Sequence, residues 1–132
     1  MTNASKNEQL VRRFYELFAK AEMGSVAHLF APDFVFVPAG KHNLLAGARR
    51  GPEEILQFTE QQMALTDGTW VPRPYDVLAG DRHVSVLVTV TATRNGRSVQ
   101  FRLVHVWRIE DGVARELRSY VDDQYRYDEF FG

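Results

Sequence analysis

Two long β-type segments joined by a tight turn constrain the fold of this chain more than any other feature. Residues 84–93 and 99–109 are rich in Val, Thr and aromatic side chains, and Asn95-Gly96 lies between them. Both central residues of a type I′ turn need a positive φ, which asparagine and glycine tolerate best. The sequence therefore predicts an antiparallel hairpin, and a hairpin this long needs other elements to cover its apolar face.

The first half of the chain supplies the elements that we expect to cover this hairpin. Ser5 and Glu8 form a capping-box pattern, after which apolar residues recur at helical spacing. Pro52 follows a glycine at a predicted helix start, where proline is favoured. These patterns predict a first helix over residues 6–21, a short helix over 26–30, a strand over 34–37, and a third helix that begins at 51 and is ended by 67–68.

The second half of the chain is strand-like, apart from an acidic and aromatic tail over residues 122–132. Pro72 and Pro74 predict that the first of its strands is an edge or bulged strand. The four predicted strands span residues 69–78, 84–93, 99–109 and 113–121. Helices on one face of an antiparallel sheet make a two-layer α+β fold, and residues 1–132 are expected to form one such domain.

Composition and charge restrict the class of protein. The formal net charge of −1, with both signs interspersed, gives no electrostatic reason to expect nucleic acid or a membrane as a partner. The chain has no cysteine, no stretch long enough to span a bilayer, and a polar N-terminus without the apolar segment of a signal peptide, so we expect a cytoplasmic protein. Neither a glycine-rich phosphate loop nor metal-ligand spacing occurs, so we expect no metal and no cofactor.

His105 is the strongest candidate for a chemical role. It has the same strand parity as Phe101, Leu103 and Trp107, and is therefore expected to face the covered side of the sheet. A neutral imidazole carries one hydrogen-bond donor and one acceptor and titrates near neutral pH, so it could give or take a proton beside a carbonyl. The alternative is a buried histidine whose nitrogens are satisfied by a hydroxyl or a backbone carbonyl.

Six short motifs occur in order over nearly the whole chain: RFYEL at residues 13–17, LFAPDF at 29–34, LAG at 45–47, GPEEI at 51–55, VHVWRI at 104–109 and DDQY at 122–125. Together they resemble the nuclear transport factor two-like superfamily, which includes ketosteroid isomerase, limonene epoxide hydrolase, scytalone dehydratase and the SnoaL-like polyketide cyclases. The resemblance implies a cone-shaped, cystatin-like α+β roll, in which a curved antiparallel or mixed sheet wraps around three N-terminal helices.

The resemblance also indicates which chemistry to expect. The tyrosine and two aspartates of ketosteroid isomerase fall here on Phe14, Val37 and His105, so two of the three roles are lost. The epoxide hydrolase pattern of an arginine flanked by aspartates is not well matched either, because Arg102 has outward parity. SnoaL-like cyclases use a His and an Asp on the last two strands as acid and base, which fits His105 and Asp123.

Other candidates surround this pair. Asp123 is either the partner of His105 or a solvated carboxylate, and a bulge at the strand end would exchange it with Asp122. Tyr15 lies one residue from the family's tyrosine position and is either a hydrogen-bond donor or a packing residue. His42 lies in a loop at the expected opening. The predicted ligand-binding residues are Phe14, Phe18, Val37, His42, Phe58, Trp70, Phe101, Leu103, Trp107, Ser119 and Val121.

Together these features give a working hypothesis and its alternative. The first is a small cofactor-free enzyme that acts by acid/base chemistry on a hydrophobic molecule bearing a carbonyl or an epoxide, as a cyclase, isomerase or hydrolase of polyketide-like metabolites. The second is a non-catalytic, small-molecule-binding or accessory module. Leu87, Val104 and Val106 form an apolar stripe on the other face of the sheet, which predicts a homodimer that packs sheet to sheet.

Overall fold

The predicted hairpin forms the centre of a six-stranded mixed sheet. The computed structural model describes the backbone of residues 1–132 and every side chain except that of Met23. In chain order the elements are α1 (Asn3–Ala19), two short 3-10 turns (Met23–Ser25 and Ala27–Leu29), β1 (Phe30–Val37), β2 (Arg49–Arg50), α2 (Gly51–Leu65), β3 (Val71–Ala79), β4 (His83–Arg94), β5 (Arg97–Glu110), β6 (Val113–Val121) and α3 (Gln124–Phe130).

The strands lie side by side in the order β2-β1-β6-β5-β4-β3, and β1 runs parallel to β6 while the other neighbours are antiparallel. Arg94 pairs with Arg97, and the two residues between them have positive φ values of 52° at Asn95 and 75° at Gly96. These values are those that a type I′ turn requires, so the predicted hairpin is confirmed.

The concave face of the sheet carries the core. On β4 the alternate residues Val84, Val86, Val88 and Val90 are fully buried, because successive strand residues point to opposite faces and these point towards the helices. Their partners on β5 include Trp107, His105 and Phe101, so the hairpin presents one apolar wall with a single imidazole in it. None of the helices in the described part of the chain is long and apolar enough to cross a membrane.

The predicted fold class is confirmed, but some element boundaries and one helix differ from expectation. Thr2, and not Ser5, caps α1, because the Thr2 hydroxyl accepts a hydrogen bond from the Ser5 amide. The short helix predicted over residues 26–30 is a 3-10 turn, after which β1 begins at once and contains an irregularity before Val35. The third α-helix lies at the C-terminus, in the tail to which no element was assigned.

That C-terminal helix is held by capping, by packing and by one arginine. The Asp123 carboxylate accepts a hydrogen bond from the Arg126 amide and caps α3. Its residues Tyr127 and Phe130 are buried against the sheet, and the ring centres of Phe101 and Tyr127 lie 5.2 Å apart. Arg94, beside the hairpin turn, donates hydrogen bonds to the carbonyl oxygens of Phe130 and Gly132 at 2.9 Å each. The helix therefore covers the end of β5 that lies next to the turn.

Candidate functional site

A largely aromatic pocket lies between the concave face of the sheet and the helices. Its cavity volume is about 80 Å³, and it opens to solvent at its mouth. Its lining suits a small organic ligand, which binds mainly through apolar contact and a few polar groups. Its apolar walls include Phe14, Phe18, Phe34, Phe36, Phe58, Trp70, Leu103 and Leu117.

Tyr15 and His105 meet in this pocket. The Tyr15 hydroxyl lies 2.6 Å from Nδ1 of His105, and Trp107 Nε1–H donates a hydrogen bond to the same hydroxyl at 3.2 Å. Tyr15 is on α1 and the other two residues are two positions apart on β5, where equal parity brings both to the inner face. Helix and sheet together thus build a three-residue hydrogen-bonded chain at the pocket wall.

The donors and acceptors of this three-residue hydrogen-bonded chain determine which tautomer the His105 imidazole adopts. An indole nitrogen can only donate, so Trp107 occupies a lone pair of the Tyr15 oxygen, and the phenolic proton is free to be donated to Nδ1 of His105. In this arrangement the remaining proton of the neutral imidazole is on Nε2. Among the described residues Nε2 has no protein partner, and His105 lines the pocket. The imidazole therefore offers a hydrogen-bond donor to a ligand.

Burial keeps this pair uncharged at neutral pH. It lowers the pKa of His105 from the usual 6.5 to about 4, because the charged imidazolium would lose its hydration. Burial also raises the pKa of Tyr15, and the hydrogen bond from Trp107 acts in the opposite direction. A neutral imidazole supported by a protonated phenol can stabilise negative charge on a ligand oxygen, but it is a weak base.

The other polar groups at the pocket are few and uncharged. Ser119 on β6 is the direct cross-strand partner of His105, and Thr59 and Gln62 belong to α2. Among the described residues that line the pocket there is no Asp, Glu, Lys or Arg. The site is therefore suited to a neutral ligand, since a charged one would lose its hydration without gaining a counter-ion.

The structure places many of the predicted ligand-binding residues at the pocket and others away from it. Trp107 and Phe101 are fully buried in the core, and Trp107 supports the site by its hydrogen bond to Tyr15 and by packing against Phe14. Val37 does not line the pocket, because Phe34 and Phe36 do and Val37 has the opposite strand parity. His42 is exposed, and Val121 packs at the edge of the core. The predicted residues that do line the pocket are Phe14, Phe18, Phe58, Trp70, Leu103 and Ser119, with Tyr15 and His105.

Asp123 does not lie beside His105. The cross-strand partner of His105 is Ser119, and Asp123 follows four residues later, which corresponds to roughly 13 Å along an extended chain. Its carboxylate is used to cap α3, and it is not among the residues that line the pocket. The predicted pairing of these two side chains is therefore corrected: the partner of His105 is Tyr15.

The sequence reasoning missed several pocket residues. Phe34 and Leu117 have the parity of the inner face, but only the register of β1 against β6 shows that they meet the pocket. Tyr127 was missed because the tail was assigned no element. In the sequence, Gln62 interrupts the apolar helical stripe of Ile55, Phe58 and Leu65, and that interruption was the available signal for a polar group inside the fold.

Comparison with known proteins identifies the family. The SnoaL-like domain matches residues 11–117. The chain belongs to the SnoaL-like domain family. An uncharacterized protein of Mycobacterium tuberculosis is 32% identical over 116 residues, which cover 86% of this chain and 87% of the relative. The resemblance found in the motifs is thus confirmed.

Solved structures share the fold of this SnoaL-like chain. Bal32a, from a soil-derived mobile gene cassette, superposes with a TM-score of 0.92 at 26% identity, over 99% of this chain and 100% of its own. A protein of Jannaschia sp., assigned provisionally to the SnoaL-like polyketide cyclases, superposes with a TM-score of 0.76 at 17% identity, over 90% of this chain and 87% of its own. The first similarity spans nearly the whole chain, including α3.

Proposed function

We propose that this SnoaL-like protein is a small enzyme that binds a hydrophobic, carbonyl-bearing molecule and activates it through His105. The observation that carries the proposal is the 2.6 Å contact between Tyr15 and His105 at the wall of an aromatic pocket. Membership of a family that includes SnoaL-like polyketide cyclases supports a cyclase, isomerase or hydrolase, and an epoxide oxygen would be activated in the same way as a carbonyl oxygen.

The proposed mechanism is electrostatic. The ligand oxygen accepts a hydrogen bond from Nε2–H of His105, a hydroxide ion or buffer base from the solvent takes the proton that leaves the carbon next to the carbonyl, and the negative charge left on the oxygen is stabilised by His105. Tyr15 holds the imidazole in the required tautomer by donating to Nδ1, while Trp107 fixes the Tyr15 hydroxyl. A fixed donor in a water-poor site contributes roughly 3 kcal/mol to transition-state stabilisation in enzymes of this kind.

A second candidate function is supported by a specific observation. With Asp123 at the cap of α3, the described pocket-lining residues provide no carboxylate that could remove a proton from carbon. The same pocket could therefore hold a hydrophobic carbonyl compound without transforming it, as a binding or accessory module. The two functions share the ligand and differ in whether bound ligand exchanges protons.

Binding of acetonaphthone tests the proposal, with ethylnaphthalene as a probe of similar shape that lacks the carbonyl. We expect the wild type to bind the ketone about 5- to 20-fold more tightly by calorimetry, a ratio that corresponds to one buried hydrogen bond. His105→Leu should remove this preference, and the surface variant His28→Leu should retain it. Equal affinity of the wild type for both probes would show that no carbonyl is recognised.

Proton exchange separates the enzyme from the binding module. In deuterium oxide, an activated ketone loses the NMR signal of the methyl protons next to its carbonyl. We expect the wild type to accelerate this loss and His105→Leu to return it to the rate in buffer, because the enolate would no longer be stabilised. Tight binding without acceleration would favour the binding module.

The homodimer is a separate proposal. On the convex face of the sheet, Leu87 pairs with Val104, which pairs with Tyr120, and the last of these is 53% exposed. An apolar row of this kind is covered when a second copy packs against it. Light scattering should give twice the 15.1 kDa of one chain, and Val104→Asp should halve the measured mass. Tyr125→Asp, at an exposed position of α3, should leave the mass unchanged.

A further inference from the structure

Gln62 is a buried polar side chain that the proposed mechanism does not use. It is only 6% exposed and lies on α2, where it follows Ile55 and Phe58 on the helix face that lines the pocket. Residues seven, four and three positions apart share one helix face, so the carboxamide is directed to the same space as these apolar side chains. Leucine or methionine would fill that position without burying a polar group.

The carboxamide has no hydrogen-bond partner among the described residues. Its neighbour Gln61 is exposed and donates to the Leu44 carbonyl, and Thr59 donates to the Ile55 carbonyl at 3.0 Å, so both of these side chains are satisfied. In the described part of the chain, Arg115 Nε is the side-chain polar atom that is both inaccessible to solvent and without a hydrogen-bond partner. The amide atoms of Gln62 are not in this state. Since they have no protein partner, they must be accessible to solvent, and Gln62 lines the pocket.

An amide without a hydrogen-bond partner inside an apolar pocket destabilises the protein unless a ligand forms hydrogen bonds with it. Leaving such a group without a hydrogen bond typically costs about 1 to 3 kcal/mol in proteins. Gln62 stands on the helical wall of the pocket, whereas His105 and Ser119 form a cross-strand pair on the sheet wall. Aromatic and aliphatic side chains, including Phe36, Phe58 and Leu103, line the same pocket and leave apolar surface around both polar groups.

We propose that Gln62 is a specificity-determining residue that binds a second, uncharged oxygen of the same ligand, remote from the carbonyl held by His105. This inference rests on the proposed function and defines its ligand class: a flat, apolar ketone that carries a hydroxyl or a further carbonyl on the part remote from the first. A carboxamide both donates and accepts, so it can bind either group. A carboxylate or phosphate is disfavoured, because no lysine or arginine lines the described pocket.

Two probes of similar shape test this inference. One is acetonaphthone with a hydroxyl on the ring remote from the acetyl group, and the other carries a methyl group at the same position. We expect the wild type to bind the hydroxyl compound about 3- to 10-fold more tightly by calorimetry, which is the ratio for one hydrogen bond. Gln62→Met, which keeps the length of the side chain, should abolish the preference and bind the methyl compound at least as tightly as the wild type does.

A control variant and two contrary outcomes make the test specific to Gln62. Gln57→Met is on the exposed face of α2 and should keep the wild-type ratio. If the preference survives in Gln62→Met, or is absent from the wild type while both compounds bind, the inference about Gln62 is overturned and the proposed function stands. If neither compound binds the wild type, both proposals fail. Gln62→Leu provides a second variant with the same expected result should the methionine variant fold poorly.

Discussion

Gly40→Ala should lower the free energy of unfolding by about 3 kcal/mol, through backbone strain of about 1 kcal/mol and overpacking of about 2 kcal/mol. Gly40 has a φ of +82°, which disfavours any residue with a Cβ atom. A Cβ atom there would also overlap Asp128 Oδ1 and Asn43 Nδ2. These atoms are hydrogen-bonded to each other at 2.7 Å, and Asp128 Oδ1 also accepts from the Lys41 amide at 2.9 Å.

The substitution should therefore separate α3 from the loop that follows β1. Urea unfolding measures the total loss, and hydrogen exchange over residues 124–131 should show that protection falls first in α3. Gly68→Ala is the matched control, because Gly68 has a φ of +73° but has no atom within 4 Å of the added Cβ. The free energy of unfolding of this variant should fall only by the contribution of backbone strain, about 1 kcal/mol. Equal losses in the two variants would contradict the role assigned to the Asp128 contact.

His105 should make the protein less stable as the pH falls from about 6.5 to about 4. Burial lowers the pKa of His105 to about 4 from the usual 6.5, so in this interval the unfolded chain binds a proton that the folded protein does not. Protonation stabilises the unfolded state. The free energy of unfolding should therefore have fallen by up to about 3 kcal/mol when the pH reaches about 4. Above about pH 6.5 the imidazole is neutral in both states and contributes no pH dependence.

A variant isolates this contribution from that of all other groups. Urea unfolding of the wild type and of His105→Gln at several pH values gives two stability curves, and the difference between them should grow as the pH falls through this interval. His28, His42 and His83 are exposed in both proteins, so their effects cancel. NMR titration should show that the His105 imidazole stays neutral to about pH 4. A usual pKa for His105 would contradict the burial argument.

The sequence allowed the sheet to be predicted because its signals are local. Asn95-Gly96 and Asp111-Gly112 carry the positive φ values of two-residue turns, and the parity of β5 follows directly from the hairpin register. The inward direction of His105 could be predicted for the same reason. Its contact with Tyr15 could not, since it depends on how α1 is rotated against the sheet, and Phe14 and Tyr15 are both buried.

Features that depend on long-range packing were the ones that the sequence did not reveal. The tail carries acidic and aromatic residues without an extended apolar period, and α3 is stabilised largely by Phe101, Trp70 and the two hydrogen bonds from Arg94. Asp123 has the parity of the inner face if β6 is continued, but the strand ends at Val121 and the carboxylate becomes a helix cap. Tertiary contacts thus determined that Asp123 caps a helix, although its local pattern was also compatible with an inward-facing strand residue.

The parallel pairing of β1 with β6 affects how the molecule is made. During synthesis the first strand leaves the ribosome long before its neighbour does, and a ribosome releases the chain from one end only. Until residues 113–121 have emerged, the phenylalanines of β1 have no strand beside them on that side, and a nascent chain stalled earlier would expose them to chaperones or to other nascent chains. Pairing of distant segments is also slow to form, so the completed pocket should be a late product of folding.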